Sequence, residues 1–222
     1  MLYIVATPIG NLNDISFRAL DILKSVDFIL CEDTRVTRKL LEHYKIEKLL
    51  ISYHQHSKLQ KVEYVERLLK EGRALALVSD AGTPAISDPG GLLVQHLKEN
   101  LPEVRIAPIP GPSAAIAALS ISGFSADRFV FMGFPPHKKG RQQYWQEIKT
   151  AKRTAVFYES KYRVIKSLEE LVKVAGDREA VVCRELTKIF ETIYRGPLSK
   201  VIGEIKRTTP RGEYVIVVKK FL

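Results

Sequence analysis

The sequence predicts two α/β domains, the first on a mostly parallel sheet and the second on a mixed one. Three observations carry this. Through the first half, short apolar runs alternate with longer amphipathic stretches, the rhythm of β-α-β units. Several of those runs are apolar throughout, as in strands covered on both faces. Beyond a Pro110-Gly111-Pro112 turn, two strand-like runs follow one another almost directly, which suggests an antiparallel hairpin. The division is placed at this turn, giving domains 1–111 and 112–222.

In order, residues 2–7, 28–32, 49–53, 74–79 and 104–109 read as strands. Between them, 16–26, 34–44, 58–71 and 89–99 have helical spacing. In 58–71, Val62, Val65, Leu68 and Leu69 fall on one face while Lys61, Glu66 and Lys70 fall elsewhere. After the turn, Ser113 can cap a small-residue helix ending near Gly123. Strands follow at 129–134, 154–159, 180–186, 189–196 and 213–220, with helices at 140–151, 161–175 and 197–206.

The 222 residues are 45% hydrophobic and 27% charged, which excludes wholesale disorder. The net charge is +10. Residues 1–111 carry 14 basic and 14 acidic side chains, whereas 112–222 carry 21 and 11, so the excess lies in the second half. That asymmetry favours an anionic partner gripped by the second domain. Cys31 and Cys183 sit far apart in apolar runs and read as buried, reduced thiols. No run of ~18 apolar residues suggests a membrane span, and the N-terminus lacks a signal-peptide pattern, so a cytoplasmic protein is expected. No G-x-G-x-x-G, P-loop, H-E-x-x-H, C-x-x-C or G-x-S-x-G motif occurs. His54-Gln55-His56 with His43 lacks a third ligand at useful spacing and reads as a polar loop, so no metal is expected.

Open parallel sheets bind ligands at the carboxyl ends of their strands. Four loops there are dense in small and polar residues: 6–12, 31–35, 79–91 and 110–115. The third has thirteen residues with three Gly, two Pro and two Asp, more than a simple connection needs. In the second, Glu32, Asp33 and Arg35 could orient a polar substrate or accept a proton. Its plainer reading is an Asp33 or Thr34 helix cap with Arg35 paired to an acid. In the second domain, 159–163, 184–188 and 212–214 place further polar groups at strand ends.

Taken in order, TPIGNL, EDTR, SDAGTPAISDPGG, PGPSA, ESKYR, RELTK and GEY resemble the small-subunit ribosomal RNA methyltransferase group of the tetrapyrrole methylase superfamily. The resemblance covers residues 3–218. It implies a tetrapyrrole methylase-like pair of α/β domains, a homodimer, and S-adenosylmethionine bound in a cleft between the domains. It also implies 2′-O-methylation of a cytidine in the decoding region, on small-subunit rRNA or the assembled small ribosomal subunit. Carried over by motif, the donor would meet Pro8, Ile9 and Gly10, then Asp80, Ala81, Gly82, Thr83, Pro84 and Ile86. Ser113 and Ala114 would line the cleft, with Phe157, Tyr158, Glu159 and Ser160 opposite. Many members carry a further segment beyond the last strand, whereas this sequence ends at Leu222.

A ribose hydroxyl is a poor nucleophile, so a base helps, typically by ~10²–10⁴-fold. The base or orienting groups are expected among Glu32, Asp33 and Arg35, with Glu185 and Lys188 opposite. Phosphate contacts are expected from Lys138, Lys139, Arg141, Lys152, Arg153, Lys206, Arg207 and Arg211. Two rivals stand beside this reading: a small-molecule methyltransferase acting on tetrapyrrole polycarboxylates, and a non-catalytic RNA-binding module that would not need the donor loops.

Overall fold

A computed structural model describes residues 1–53, 59–88 and 90–220. The chain divides into two units, Met1–Ser113 and Ala114–Leu222.

The first unit runs β1 (Leu2–Val5), α1 (Phe17–Ser25), β2 (Phe28–Cys31), α2 (Thr34–His43), β3 (Leu49–Ser52), α3 (Leu59–Lys70), β4 (Leu75–Leu77), α4 (Gly90–Asn100) and β5 (Ile106–Ile109). Its five strands are ordered β3-β2-β4-β1-β5, and every neighbouring pair is parallel. Side chains alternate across the pleat, so each strand feeds two cores. Leu30, Leu75 and Leu77 join α3 and α4 through Leu68, Leu69, Leu93 and Leu97. Ile29, Cys31 and Ala76 join α1 and α2 through Ala19, Leu23 and Leu41. Burial on both faces explains why these strands read as continuous apolar runs. Helix α1 starts where Ser16 accepts a hydrogen bond from the Ala19 N–H at 3.1 Å.

The second unit runs α5 (Ala114–Ser120), β6 (Phe129–Phe131), α6 (Arg141–Thr150), β7 (Thr154–Ser160), α7 (Val164–Ala175), β8 (Glu179–Arg184), β9 (Thr192–Pro197), α8 (Leu198–Lys206) and β10 (Glu213–Val218). Its sheet is mixed, ordered β6-β7-β10-β8-β9, with only β6 and β7 parallel. Trp145, Ile148, Leu168, Leu171, Val201 and Ile205 from α6, α7 and α8 pack on Phe157, Val182 and Ile216. Arg178 is buried among them, 8% exposed, and donates to the carbonyls of Ile148, at 2.7 Å, and Lys219. Both cysteines are free and buried, and burial pushes the Cys183 thiol up to about 11.

Several strands are shorter than the sequence pattern suggests, and at β9 the backbone shows why. Ile189–Glu191 do not join β9. Positive φ angles of 50° at Glu185 and 66° at Thr187 curl the chain into a turn that leaves Ile189 94% exposed. The predicted helix starts at 58 and 89, like the His54-Gln55-His56 loop, lie outside the described residues. No helix among the described residues is long and apolar enough to cross a membrane.

Candidate functional site

The strand order brings the expected loops of the first unit together. Strands β2, β4 and β1 are neighbours, so the loops leaving their carboxyl ends share one edge of the sheet. Thr7 and Gly82 form a two-way backbone bridge, with N–H to carbonyl distances of 2.9 and 3.1 Å. The Thr7 hydroxyl donates to the Ser79 carbonyl at 3.1 Å, and the Ser79 hydroxyl donates to the Gly82 carbonyl at 3.0 Å. Thr83 ties the same loop to 110–113 by donating to the Pro112 carbonyl at 3.1 Å. Backbone groups and small side chains therefore line this edge.

Two glycines are required there. A Cβ on Gly111 would lie 2.9 Å from the Cβ of Ala6, and Gly82 has φ +84° with Ile9 Cγ2 3.4 Å from such a Cβ. The loop also holds Ala85 and Ser87 at φ 70° and 64°, a strained backbone fixed by Asp88. Asp88 Oδ1 accepts from the N–H groups of Ala85 and Gly90, both at 2.7 Å. Its Oδ2 is buried without a hydrogen-bond partner among the described residues.

The acids of the second loop have divided roles. Asp33 caps α2, accepting from the Arg35 N–H at 2.8 Å, and its Oδ2 lies 2.6 Å from the Arg35 guanidinium. These hydrogen bonds hold its carboxyl at about 2. The plainer reading of Asp33 and Arg35, a cap and its pair, is thus what the structure contains. Glu32 is different. Burial, then the charges of Asp88 and Asp80, push its carboxyl up to about 7. Asp80 accepts from the Asp33 N–H at 3.2 Å, and although the residue is exposed at the surface, partial desolvation of its carboxyl by the surrounding loops raises it. Asp88 is a site residue that sequence reasoning missed. Its signal is the Asp-Pro-Gly ahead of a helix, where an acid can cap backbone N–H groups.

Among the other donor candidates, Pro8, Ile9, Gly82 and Pro84 are buried, Ser113 and Ala114 half-buried, and Gly10, Asp80, Ala81 and Ile86 exposed. In the second unit the side chain of Phe157 belongs to the core, leaving only its backbone for a ligand. Glu159 is 1% exposed and engaged internally: it accepts from the Ser160 N–H at 2.7 Å, and Arg163 lies 2.9 Å away. Tyr158 and Ser160 are half-buried.

Glu185 and Lys188 meet. Lys188 Nζ lies 2.9 Å from Glu185 Oε1 and 3.0 Å from Glu213 Oε2, and Glu185 also accepts from the Glu213 N–H at 2.9 Å. Burial opposes ionisation of Glu185, but the hydrogen bonds from Lys188 and Glu213 outweigh it and hold its carboxyl low. Lys188 donates to the Glu185 and Glu213 carboxylates, and these bonds overcome burial to raise it. Gly212, at φ +75°, makes room for this pair: a Cβ there would sit 2.1 Å from Glu185 Oε1.

The basic candidates separate. Lys138 and Lys139 are exposed on the loop after β6, and Arg211 lies just before β10. The registers put all three at the sheet end that also carries Ser160, because Glu213 pairs with Ser160 and β6 runs parallel to β7. Lys152 and Arg153 precede β7 and lie at the opposite end. Arg141 is held inside the unit, 2.6 Å from Glu170 and 2.8 Å from the Ser167 hydroxyl. Lys206 pairs with Glu169 at 2.6 Å, and Arg207 is exposed at the end of α8. Among the described residues no cluster of three or more His, Cys, Asp or Glu side chains could hold a metal ion.

The fold recurs in solved structures. Cobalt precorrin-4 methyltransferase aligns with a TM-score of 0.71 at 20% identity, covering 98% of this chain and 94% of that one. Diphthine synthase aligns with a TM-score of 0.72 at 14% identity, covering 99% and 89%. These likenesses define the fold: paired α/β units of the methylase type. The profile of the family described as Tetrapyrrole (Corrin/Porphyrin) Methylases matches residues 1–202. Curated relatives are much nearer in sequence. "Ribosomal RNA small subunit methyltransferase I" of Halalkalibacterium halodurans is 46% identical, over 98% of this chain and 75% of the relative. The protein of that name from Escherichia coli O157:H7 is 48% identical over 98% and 77%. That from Thermotoga maritima is 43% identical over 98% and 97%. The chain belongs to the tetrapyrrole methylase family, and within it to the ribosomal RNA small subunit methyltransferase I group.

Proposed function

We propose that this protein transfers a methyl group from S-adenosylmethionine to the ribose 2′-oxygen of a cytidine in small-subunit ribosomal RNA. The observation that carries the proposal is the 43–48% identity, across 98% of the chain, to three relatives named as small-subunit rRNA methyltransferases. The site residues fit the donor. A small-residue edge, kept open by Gly111 and Gly82, offers backbone groups to a nucleoside, and three carboxyl groups give it a negative field that suits a sulfonium.

Residues 8–10, 80–86 and 113–114 hold the donor, which supplies a methyl carbon activated by positive sulfur. The 2′-hydroxyl is weakly nucleophilic until its proton leaves. Glu32 takes that proton: its carboxyl at about 7 is matched to neutral pH, whereas Asp33 at about 2 is too weak a base. Asp33 and Arg35 position Glu32 by fixing the start of α2. The Glu185–Lys188 pair, ionised and rigidly held, orients the substrate. The basic groups of the second unit meet RNA phosphates, and the active form is a cytoplasmic homodimer.

The test uses labelled S-adenosylmethionine with either small ribosomal subunits lacking the modification or uroporphyrinogen. Label in a cytidine that resists alkaline cleavage is the expected result. Label in uroporphyrinogen alone indicates the small-molecule reading, and label in neither removes both.

A further inference from the structure

The sequence offers no aromatic RNA-binding motif, yet the structure gathers aromatic and basic side chains at one end of the second sheet. Strands β6 and β7 are parallel neighbours, so the loops after them, 132–140 and 161–163, emerge side by side. Phe134 in the first loop is 51% exposed, and Tyr162 in the second is 85% exposed. Lys138 and Lys139 follow Phe134 in the first loop and Lys161 precedes Tyr162 in the second, all exposed. Lys161 Nζ lies 4.9 Å from the Tyr162 ring centroid.

These side chains stand on an unusually fixed base. Arg163 donates to the Pro135 carbonyl at 3.1 Å, and Arg141 donates to the adjacent Pro136 carbonyl at 2.9 Å. Both arginines are anchored below. Arg163 pairs with Glu159 at 2.9 Å, and Arg141 pairs with Glu170 at 2.6 Å. The Ser167 hydroxyl joins the two halves, donating to Glu159 at 2.5 Å and accepting from Arg141 at 2.8 Å. The Phe134 ring also rests on Tyr158, with centroids 5.4 Å apart. An exposed Phe on a loop pinned by two guanidiniums has little freedom to turn inward, and its ordering cost is already met in the free protein.

We propose that Phe134 and Tyr162 form a stacking platform for unpaired bases of the RNA substrate, with Lys138, Lys139 and Lys161 holding the adjoining phosphates. The occupant follows from the charge: the two loops that carry the rings also carry three exposed lysines, as a polyanion with exposed π faces requires. The proposal rests on the RNA-methylation reading for its choice of substrate. It extends that reading to how the strand is held, and makes Arg141 a positioning residue rather than a phosphate contact.

The test measures RNA binding separately from methylation, by fluorescence anisotropy with a labelled single-stranded RNA 12-mer and a duplex of the same sequence. The single strand is expected to bind the parent more tightly than the duplex. Phe134→Ala and Tyr162→Ala should each weaken single-strand binding about tenfold. Phe134→Tyr should retain affinity, whereas Phe134→Leu should lose it, because stacking needs a ring. Circular dichroism should show every variant folded. Equal affinity of Phe134→Leu and Phe134→Tyr, or unchanged binding in both alanine variants, overturns the platform. So does an altered sedimentation coefficient of the RNA-free alanine variants, which would assign the rings to a protein contact. If the parent methylates no RNA yet these binding differences appear, the methylation reading fails and the platform stands.

Discussion

Replacing Glu32 by glutamine keeps the shape of the side chain and removes its capacity to accept a proton. In the parent, burial and the charges of Asp88 and Asp80 bring the carboxyl to about 7. Half of the molecules are then ionised near pH 7, and each unit of acidification below it removes about tenfold of the active form. The acid limb of kcat/KM for small ribosomal subunits should therefore have its midpoint near 7. Glu32→Gln should lose ~10²–10⁴-fold at pH 8 and lose that limb. Asp80→Asn should move the midpoint to lower pH by removing one of the repelling charges. A second readout is independent of chemistry. The folded chain holds the Glu32 proton more tightly than the unfolded chain, so its stability cost is absent at pH 4 and develops as pH rises from 4.5 through about 7. Glu32→Gln should thus be more stable than the parent at pH 8 by about 1 kcal/mol, a figure reduced because water still reaches the carboxyl. Urea denaturation at pH 4 and pH 8 measures the difference. Parent-like methylation by the glutamine variant at pH 8 would remove Glu32 from the chemistry.

Gly212→Ala should destabilise the second unit by ~2–3 kcal/mol, combining a left-handed φ of +75° with displacement of the Glu185 carboxylate. Thermal unfolding reads the loss, and kcat should fall with it if Glu185 orients the substrate. Gly111→Ala forces its Cβ to 2.9 Å from that of Ala6 and should cost ~1–3 kcal/mol in chemical denaturation. Arg178→Met removes the donor to the carbonyls of Ile148, which keeps the Ala151 N–H at 3.2 Å, and Lys219, and a loss of ~1–3 kcal/mol is expected by the same measurement. Asp33→Ala removes the cap of α2 and should lower the thermal unfolding midpoint.

Much of the fold is legible in the amino-acid order alone. The parallel first sheet follows from apolar runs such as Phe28–Cys31 and Leu75–Leu77, because strands buried on both faces lose the alternation that marks a half-exposed strand. The hairpin of the second unit follows from the short gap between two such runs. The seven motifs, each weak alone, point to the family because their order along the chain is hard to produce by chance.

The division of labour among neighbouring groups is not legible there, because it depends on through-space distances. Glu32 and Asp33 are adjacent acids, yet one sits near 7 and the other near 2. Local chemistry determines Asp33: it caps its own helix and pairs with Arg35 two positions on. Glu32 is determined by burial and then by the charges of Asp88 and Asp80, brought close because β2 and β4 are neighbours in the sheet. The same holds for the positive charge. The sequence by itself determined that the excess lies in the second half, since net charge is a sum over residues. Only the tertiary structure decided that Lys138, Lys139 and Arg211 share one sheet end while Lys152 and Arg153 lie at the other, and that Arg141 is held within the unit by Glu170. Strand direction assigns those places, and strand direction is set by how the chain crosses between strands, which no single residue encodes.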